Sequence, residues 1–94
     1  MNISRVSIIT VCYNASDVIS QCLDSVEEQV IENVTVEHIV IDGGSNDGTL
    51  GIVRGHHNPD HVVSENDDGL YDAMNKGLAM ATGEVIAFLN SDDV

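Results

Sequence analysis

Short apolar runs alternate with helix-like segments along this chain of 94 residues, and each run ends at a polar loop. The runs are rich in β-branched residues, as is typical of strands that are buried on both faces of a parallel sheet. They cover residues 6–11, 36–41, 61–64 and 84–89. The resulting order, β-α-β-α-β-α-β, predicts an α/β fold: a Rossmann-like parallel sheet with right-handed crossovers and helices on both faces.

The segments between the runs carry apolar residues at helical spacing. They cover residues 18–26, 49–54 and 70–81, and the stripe in the third consists of Leu70, Ala73, Met74, Gly77, Leu78 and Ala81. Ser16 or Asp17 is expected to cap the first helix, Asp47 to cap the second, and Gly55 to end the second. The fourth strand is expected to leave an unpaired apolar edge.

The formal net charge is −13, and only Arg5, Arg54 and Lys76 oppose the acids. A nucleic-acid partner is excluded, because phosphate backbones need clustered Lys and Arg. No apolar stretch reaches the roughly 20 residues of a membrane span, and no secretory signal opens the chain. The expected location is the cytoplasm, and attachment to the inner membrane through residues beyond 94 stays open.

Polar clusters follow all four predicted strands, at the edge where an open parallel sheet binds its ligands. They are Tyr13-Asn14 and residues 42–48, 65–69 and 90–93. Acidic loops repel a bare diphosphate but accept one bound to Mg²⁺ or Mn²⁺, since such an ion takes one or two carboxylates and fills its shell with phosphate oxygens and water. Asp92 and Asp93 suit this task, because adjacent side chains of an extended segment point in opposite directions.

Two other ligand classes fit the sequence less well. A dinucleotide oxidoreductase needs Gly-x-Gly-x-x-Gly after the first strand, and this chain lacks it there. A calcium loop starting at Asp42 needs Gly at its sixth position and Glu at its twelfth, where Asp47 and Val53 stand.

The histidines and cysteines are not expected to bind a metal. Cys12 and Cys22 lack metal or redox spacing and fall at apolar positions, which predicts free buried thiols. A break at Asn58-Pro59 separates His56 and His57 from His61.

Five segments along the whole chain stand in a characteristic order and spacing: residues 7–14, 41–49, 64–77, 81–84 and 88–93. Together they resemble the N-terminal part of inverting family 2 glycosyltransferases of the GT-A fold, in particular the bacterial surface-polysaccharide type. The last, Phe88-Leu89-Asn90-Ser91-Asp92-Asp93, is similar to the version of the family's Asp-x-Asp motif that ends in two aspartates.

The resemblance implies which residues bind the donor and the metal. The donor-binding residues would be Tyr13, Asn14, Asp42, Asp68, Tyr71, Asn75 and Asp92, and the ligand of Mg²⁺ or Mn²⁺ would be Asp93. In this picture Asp42 hydrogen-bonds the base, while Tyr13 and Asn14 line the base and ribose pocket. Many members carry two aspartates where this chain has Asp42-Gly43, and others carry an Arg near Asn75, where this chain has Lys76.

Structural roles compete with ligand binding at three of these residues. Asp68 is equally compatible with capping the third helix. Tyr71 and Asn75 are four residues apart, so they share a helix face, and such a polar face is commonly just solvated.

The resemblance implies glycosyl transfer from a nucleoside diphosphate sugar to a saccharide or lipid-linked acceptor, in polysaccharide biosynthesis. Residues 1–94 would be the donor-binding part of the domain, ending just after the metal motif. An inverting transfer also needs a general base. The family carries this base beyond the position of Val94, so the chain is expected to hold no catalytic residue and to be inactive alone. The alternative is a non-catalytic nucleotide-binding module that acts with a partner chain.

Overall fold

The computed structural model describes residues 4–28, 32–56 and 59–91, and within them four parallel strands form one sheet in the order β3-β2-β1-β4. The strands are β1 Arg5–Cys12, β2 Thr35–Asp42, β3 His61–Ser64 and β4 Val85–Asn90. The central strand β1 pairs along its whole length with β2, and Val6 lies opposite Val85 of β4 on its other side. The parallel sheet is confirmed, and each predicted strand boundary lies within one residue of the observed one.

Helices cover both faces of the sheet, as predicted. They are α1 Ile19–Glu27, α2 Thr49–Gly55 and α3 Leu70–Met80. On one face, Ile19 and Leu23 of α1 and Val53 of α2 form a buried cluster with Val40 of β2. On the other face, Ala73 of α3 packs against residues of β1 and β2. Both cysteines are buried thiols, which confirms that prediction.

Small residues, rather than leucines, bring α3 against the sheet. Ala73 and Gly77 are its buried residues, whereas Leu70 and Leu78 keep 49% and 41% of their surface exposed. The buried face of α3 therefore includes Ala73 and Gly77 of the predicted apolar stripe but not Leu70 or Leu78. The reason is the close approach at Gly77, where an added Cβ would overlap the side chain of Ile9. Because the helix lies this near the sheet, there is no room for leucine side chains in the contact, and those of Leu70 and Leu78 stay partly exposed.

Replacing Gly77 by alanine is expected to lower the free energy of unfolding by about 1–2 kcal/mol, since the overlap with Ile9 outweighs the gain in helix propensity. Gly51→Ala in α2 is the matched control, because nothing lies within 4 Å of an added Cβ there. The control should gain up to about 1 kcal/mol. Urea unfolding measures both, and a stabilised Gly77→Ala protein would contradict the close approach.

The helix starts differ from the expected caps. No side chain caps α1: the Ala15 carbonyl accepts the N–H groups of Val18 and Ile19 at 3.0 and 2.8 Å, so the helix begins after a turn and the predicted Ser16 or Asp17 cap is wrong. The N-cap of α2 is Gly48 rather than Asp47, yet Asp47 Oδ1 accepts the Thr49 N–H at 2.9 Å, so Asp47 stabilises the helix start from one position earlier. The second oxygen of Asp47 accepts the Ser16 N–H at 3.3 Å.

The outer edge of β4 has no partner strand among the described residues, as predicted. Val85, Ile86 and Phe88 of this strand are 40%, 38% and 44% exposed. An open edge with apolar side chains is a surface on which further strands can pair. No helix in the described part of the chain is long and apolar enough to cross a bilayer.

A buried carboxylate joins the amino ends of the strands. Glu37 of β2 is 3% exposed and accepts hydrogen bonds from Ser7 Oγ at 2.7 Å, the Thr82 N–H at 3.0 Å and Arg5 Nη2 at 3.3 Å. His61 Nε2 lies 3.6 Å from the same carboxylate. The Thr82 N–H, with the hydroxyls of Ser7 and Thr82 and the Arg5 charge, lowers the pKa of Glu37 from 4.5 to about 2 against the opposing effect of burial. Glu37 therefore links β1, β2 and the segment before β4.

Candidate functional site

An open cavity of about 520 Å³ lies at the carboxyl edge of the sheet, next to the ends of β1 and β4. The strand order reverses between these two strands, and ligands of open α/β sheets bind at this point. The lining residues are Val11, Cys12, Tyr13, Asn14, Ala15, Val18, Asp67, Gly69, Leu70, Ala73, Asn90 and Ser91. The volume is in the range of small-molecule sites, so three of the four predicted polar loops contribute to one ligand-sized space.

A smaller cleft of about 310 Å³ adjoins this cavity and is lined by Tyr13, Gly43, Asn66, Asp67 and Gly69. Tyr13 and Asp67 line both spaces, so the two are continuous at these side chains. The Tyr13 side chain is 60% exposed. We call this smaller space the Tyr13 cleft; it offers an aromatic ring beside a bare stretch of backbone at Gly43.

Asn14 fastens the turn after β1 to the loop after β2. Its N–H donates to Ser45 Oγ at 2.8 Å, and its side-chain oxygen accepts the Asn46 N–H at 2.9 Å. Its φ of 48° is left-handed, a conformation that asparagine tolerates better than most residues. Asn14 lines the cavity, and its hydrogen bonds hold Tyr13 in place.

Asp42 lies beneath the site and is fully buried, with 0% exposure. Its Oδ2 accepts the N–H groups of Ser45 and Gly44 at 2.9 and 3.2 Å and the Ser64 hydroxyl at 2.8 Å, while Oδ1 accepts the Ser45 hydroxyl and lies 3.6 Å from Cys12 Sγ. Burial by itself would raise the pKa of Asp42, but the hydrogen bonds from Ser45, Ser64 and Cys12 lower it below its ordinary value. In this conformation Asp42 organises the loop and presents no oxygen to the cavity.

Asp67, rather than its neighbour Asp68, lies in the wall of the site. Asp67 is half-buried and lines both spaces, whereas Asp68 is exposed and lines neither. Asp68 does not cap α3 through its side chain, since the N-cap is Gly69 and no side-chain cap is formed. Sequence reasoning missed Asp67 because two adjacent aspartates look alike, and the turn at Gly69, with φ of 110°, decides which one faces inward.

Tyr71 and Asn75 lie on the exposed side of α3, where Tyr71 is 80% exposed, and neither lines the two spaces. Lys76 is engaged elsewhere. Its Nζ lies 3.1 Å from Glu65 Oε1 and 3.5 Å from Asp72 Oδ2, and it donates to the Asn66 carbonyl at 3.2 Å. Lys76 thus holds the loop before α3 against the helix.

No basic side chain of the described residues lines either space. The chain has three Lys and Arg residues in all; Lys76 is paired with carboxylates, Arg5 pairs with Glu37 at the other end of the sheet, and Arg54 lies in the last turn of α2. The positive charge that a diphosphate requires is therefore not supplied by the walls of this site.

Asp92, Asp93 and Val94 lie outside the described residues, so the predicted metal motif and the predicted position of the general base beyond Val94 both stay predictions. Ser91, directly before them, is 7% exposed and donates its N–H to the Val11 carbonyl at 3.2 Å, which holds the chain against the end of β1 in the cavity wall.

The described residues contain no cluster of metal-binding side chains. Among residues 4–28, 32–56 and 59–91, no three His, Cys, Asp or Glu side chains gather into a metal site. Two carboxylates after Ser91 fit Mg²⁺ or Mn²⁺ in kind, because these ions need only one or two protein oxygens beside a phosphate.

Comparison with known proteins gives concordant matches. The model of glycosyl transferase family 2 matches residues 7–94. An uncharacterized glycosyltransferase of Mycobacterium tuberculosis is 42% identical over 90 residues, which are 94% of this chain and 34% of that protein.

Two solved structures match the fold closely. The mannosyltransferase PcManGT from Pyrobaculum calidifontis, in complex with GDP-Man and Mn²⁺, has a TM-score of 0.85 and 31% identity over 98% of this chain and 28% of its own. Glucosyl-3-phosphoglycerate synthase from Mycobacterium tuberculosis was solved in complex with Mn²⁺, UDP and glucosyl-3-phosphoglycerate. It has a TM-score of 0.80 and 27% identity over 95% of this chain and 34% of its own. The chain therefore spans about a third of the length of these relatives.

Proposed function

The chain belongs to glycosyl transferase family 2, and we propose on this basis that the whole protein transfers a sugar from a nucleoside diphosphate sugar to an acceptor, with residues 1–94 forming the donor-binding part. One observation carries the proposal: a ligand-sized cavity with an exposed aromatic ring lies where the strand order reverses. Two proteins of similar fold were solved with GDP-Man or UDP and Mn²⁺.

The donor would lie across the carboxyl edge with its base against Tyr13, whose exposed ring offers a stacking surface. Asn14 and Asp42 act mainly by ordering the two loops beneath it. Asp68, which precedes α3, and Tyr71 and Asn75 on its exposed side line neither space, so their proposed contacts to the donor would lie outside both. Asp92 would hold the nucleotide.

Asp93 is the proposed ligand of a divalent cation, Mg²⁺ or Mn²⁺. Such an ion, when bound, stabilises the negative charge on the departing nucleoside diphosphate. The absence of Lys and Arg from the walls of the described site supports this assignment, because a diphosphate needs a cation among these acids. We expect donor binding to depend strongly on the metal.

The acceptor is proposed to be a saccharide or a lipid-linked saccharide, bound together with the general base by parts of the protein other than residues 1–94. We expect the protein to lie in the cytoplasm and to attach to the inner membrane through parts other than residues 1–94.

Removing the proposed metal ligand should separate the metal-dependent part of binding from the rest. Titration calorimetry of UDP and GDP into the full-length protein should show binding of one nucleotide that Mn²⁺ strengthens by about 10-fold or more, and Asp93→Ala should lose this gain. The matched control is Asp24→Ala, since Asp24 is an exposed residue of α1 and lines neither space. A protein that binds neither nucleotide in Mn²⁺ would refute the proposal.

An activity assay of the full-length protein distinguishes an enzyme from a binding module. Consumption of a nucleoside diphosphate sugar, followed by release of the nucleoside diphosphate, is expected. Tight binding with no consumption, even with lipid or saccharide acceptors present, would favour the non-catalytic nucleotide-binding module that acts with a partner chain.

A further inference from the structure

The Asp67 carboxylate fills the space in the Tyr13 cleft that a side chain at position 43 would need. A Cβ added at Gly43 would lie 2.9 Å from Asp67 Oδ2, closer than such atoms approach in proteins, and its three nearest atoms all belong to the Asp67 side chain. Gly43 is buried and its N–H donates to the Cys12 carbonyl at 2.9 Å, so the backbone cannot easily retreat. The Asp67 carboxylate thus occupies the place of a side chain at position 43.

The two oxygens of Asp67 have different surroundings. Oδ1 accepts the Gly69 N–H at 3.1 Å, which fixes the rotation of the carboxylate. Oδ2 accepts no hydrogen bond from the described residues and is the atom that a Cβ added at Gly43 would meet first, in the wall shared with Tyr13. Lys76 steadies the loop by donating to the carbonyl of Asn66, the preceding residue. A single fixed acceptor therefore lies unused beside an exposed aromatic ring.

Building on the proposed function, we propose that Asp67 Oδ2 selects the base of the donor by accepting a hydrogen bond from a ring N–H. Uracil and guanine carry such an N–H on the edge that they present to partners. Cytosine and adenine carry a ring nitrogen acceptor at the corresponding position, which would face the carboxylate oxygen lone pair to lone pair. A bound base would cover this acceptor, and a base without the matching donor would leave it unpaired, so the site is selective for uridine and guanosine diphosphates over those of cytidine and adenosine.

Asp67→Asn is the sharpest test, because the Gly69 N–H keeps the amide oxygen at the Oδ1 position and the amide nitrogen then replaces Oδ2. An N–H donor in this place repels the ring N–H of uracil or guanine and matches the ring acceptor of cytosine or adenine. We expect the preference for the better of UDP and GDP over CDP and ADP to fall by roughly 10- to 100-fold. A role of Asp67 in structure alone would weaken all four nucleotides equally.

Moving the carboxylate gives an independent test. Asp67→Ala should lose about 10-fold or more in affinity for the better nucleotide and most of the selectivity. The double variant Gly43→Asp/Asp67→Ala places a carboxylate at the position that Asp67 vacates, where φ is not positive and no other nearby atom obstructs a Cβ. It should recover part of the selectivity. Asp24→Ala, which removes the same charge elsewhere, should leave it unchanged.

All variants are measured by titration calorimetry of UDP, GDP, CDP and ADP into the full-length protein with Mn²⁺, with a thermal melt of each to confirm folding. If the unmodified protein binds none of the four, the proposed function fails. If it binds UDP or GDP, while folded Asp67→Asn and Asp67→Ala keep its affinity and selectivity, the proposed function stands and the assignment of Asp67 is overturned. An unmodified protein that prefers CDP or ADP overturns the assignment as well.

Discussion

Asp42→Ala should lower the free energy of unfolding by about 3–5 kcal/mol, because it leaves several donors without an acceptor in a buried place. The N–H groups of Gly44 and Ser45 and the hydroxyls of Ser45 and Ser64 would all lose a partner inside the protein. Urea unfolding of the full-length protein measures the loss. Because Ser45 also accepts the Asn14 N–H, nucleotide binding should weaken in parallel.

Asp24→Ala is the control for this measurement. Asp24 is exposed, and among the described residues its carboxylate lies 3.3 Å from His56 Nε2, so its loss should cost less than about 1 kcal/mol. Asp42→Asn keeps the shape of the side chain but replaces one acceptor oxygen with a donor. Its loss of unfolding free energy should lie between those of Asp24→Ala and Asp42→Ala. A cost below about 1 kcal/mol for Asp42→Ala would contradict its role as the buried anchor of the loop.

Glu37→Ala should cost about 2–4 kcal/mol at neutral pH, since the carboxylate of this β2 residue accepts hydrogen bonds from β1 and from the segment before β4. The cost should also depend on pH. The pKa of Glu37 is lowered from 4.5 to about 2 in the folded protein, so its contribution is fully present above pH 4.5 and is lost as the pH falls through about 2. The stabilities of the two proteins should therefore converge between these values.

Unfolding by urea at a series of pH values from about 7 to about 2.5 tests this expectation. Glu28→Ala, at the exposed end of α1, should differ from the unmodified protein by about 0.5 kcal/mol or less throughout. A Glu37→Ala difference that stays constant over the whole series would show that packing of the side chain, rather than its charge, is responsible.

The elements of the fold could be predicted because their signals are local. Each strand is a short apolar run that a polar loop ends, as at Ile41 followed by Asp42, and the alternation with helices leaves few topologies. The face of α3 could not be predicted in the same way. Hydrophobicity favours Leu70 and Leu78, but the distance of the helix from the sheet is set by Gly77 and Ile9, which are far apart in sequence.

The loops that form the site could also be predicted, but the orientation of their side chains could not. The burial of Asp42 depends on two hydroxyls, from Ser45 in the loop after β2 and from Ser64 at the end of β3. The inward position of Asp67 depends on the turn at Gly69 and the bare backbone at Gly43. These are relations between distant segments, and no single stretch of sequence contains them.

The central place of β1 in the sheet has a consequence for synthesis of the protein. β1 is made before the other described strands, yet one of its partners, β4, begins at Val85, opposite Val6. At about 5–20 residues per second, the ribosome needs roughly 4–16 s to reach that partner. During this interval one long apolar edge of β1 has no native strand to pair with. We expect newly made chains to depend on chaperones until β4 has emerged.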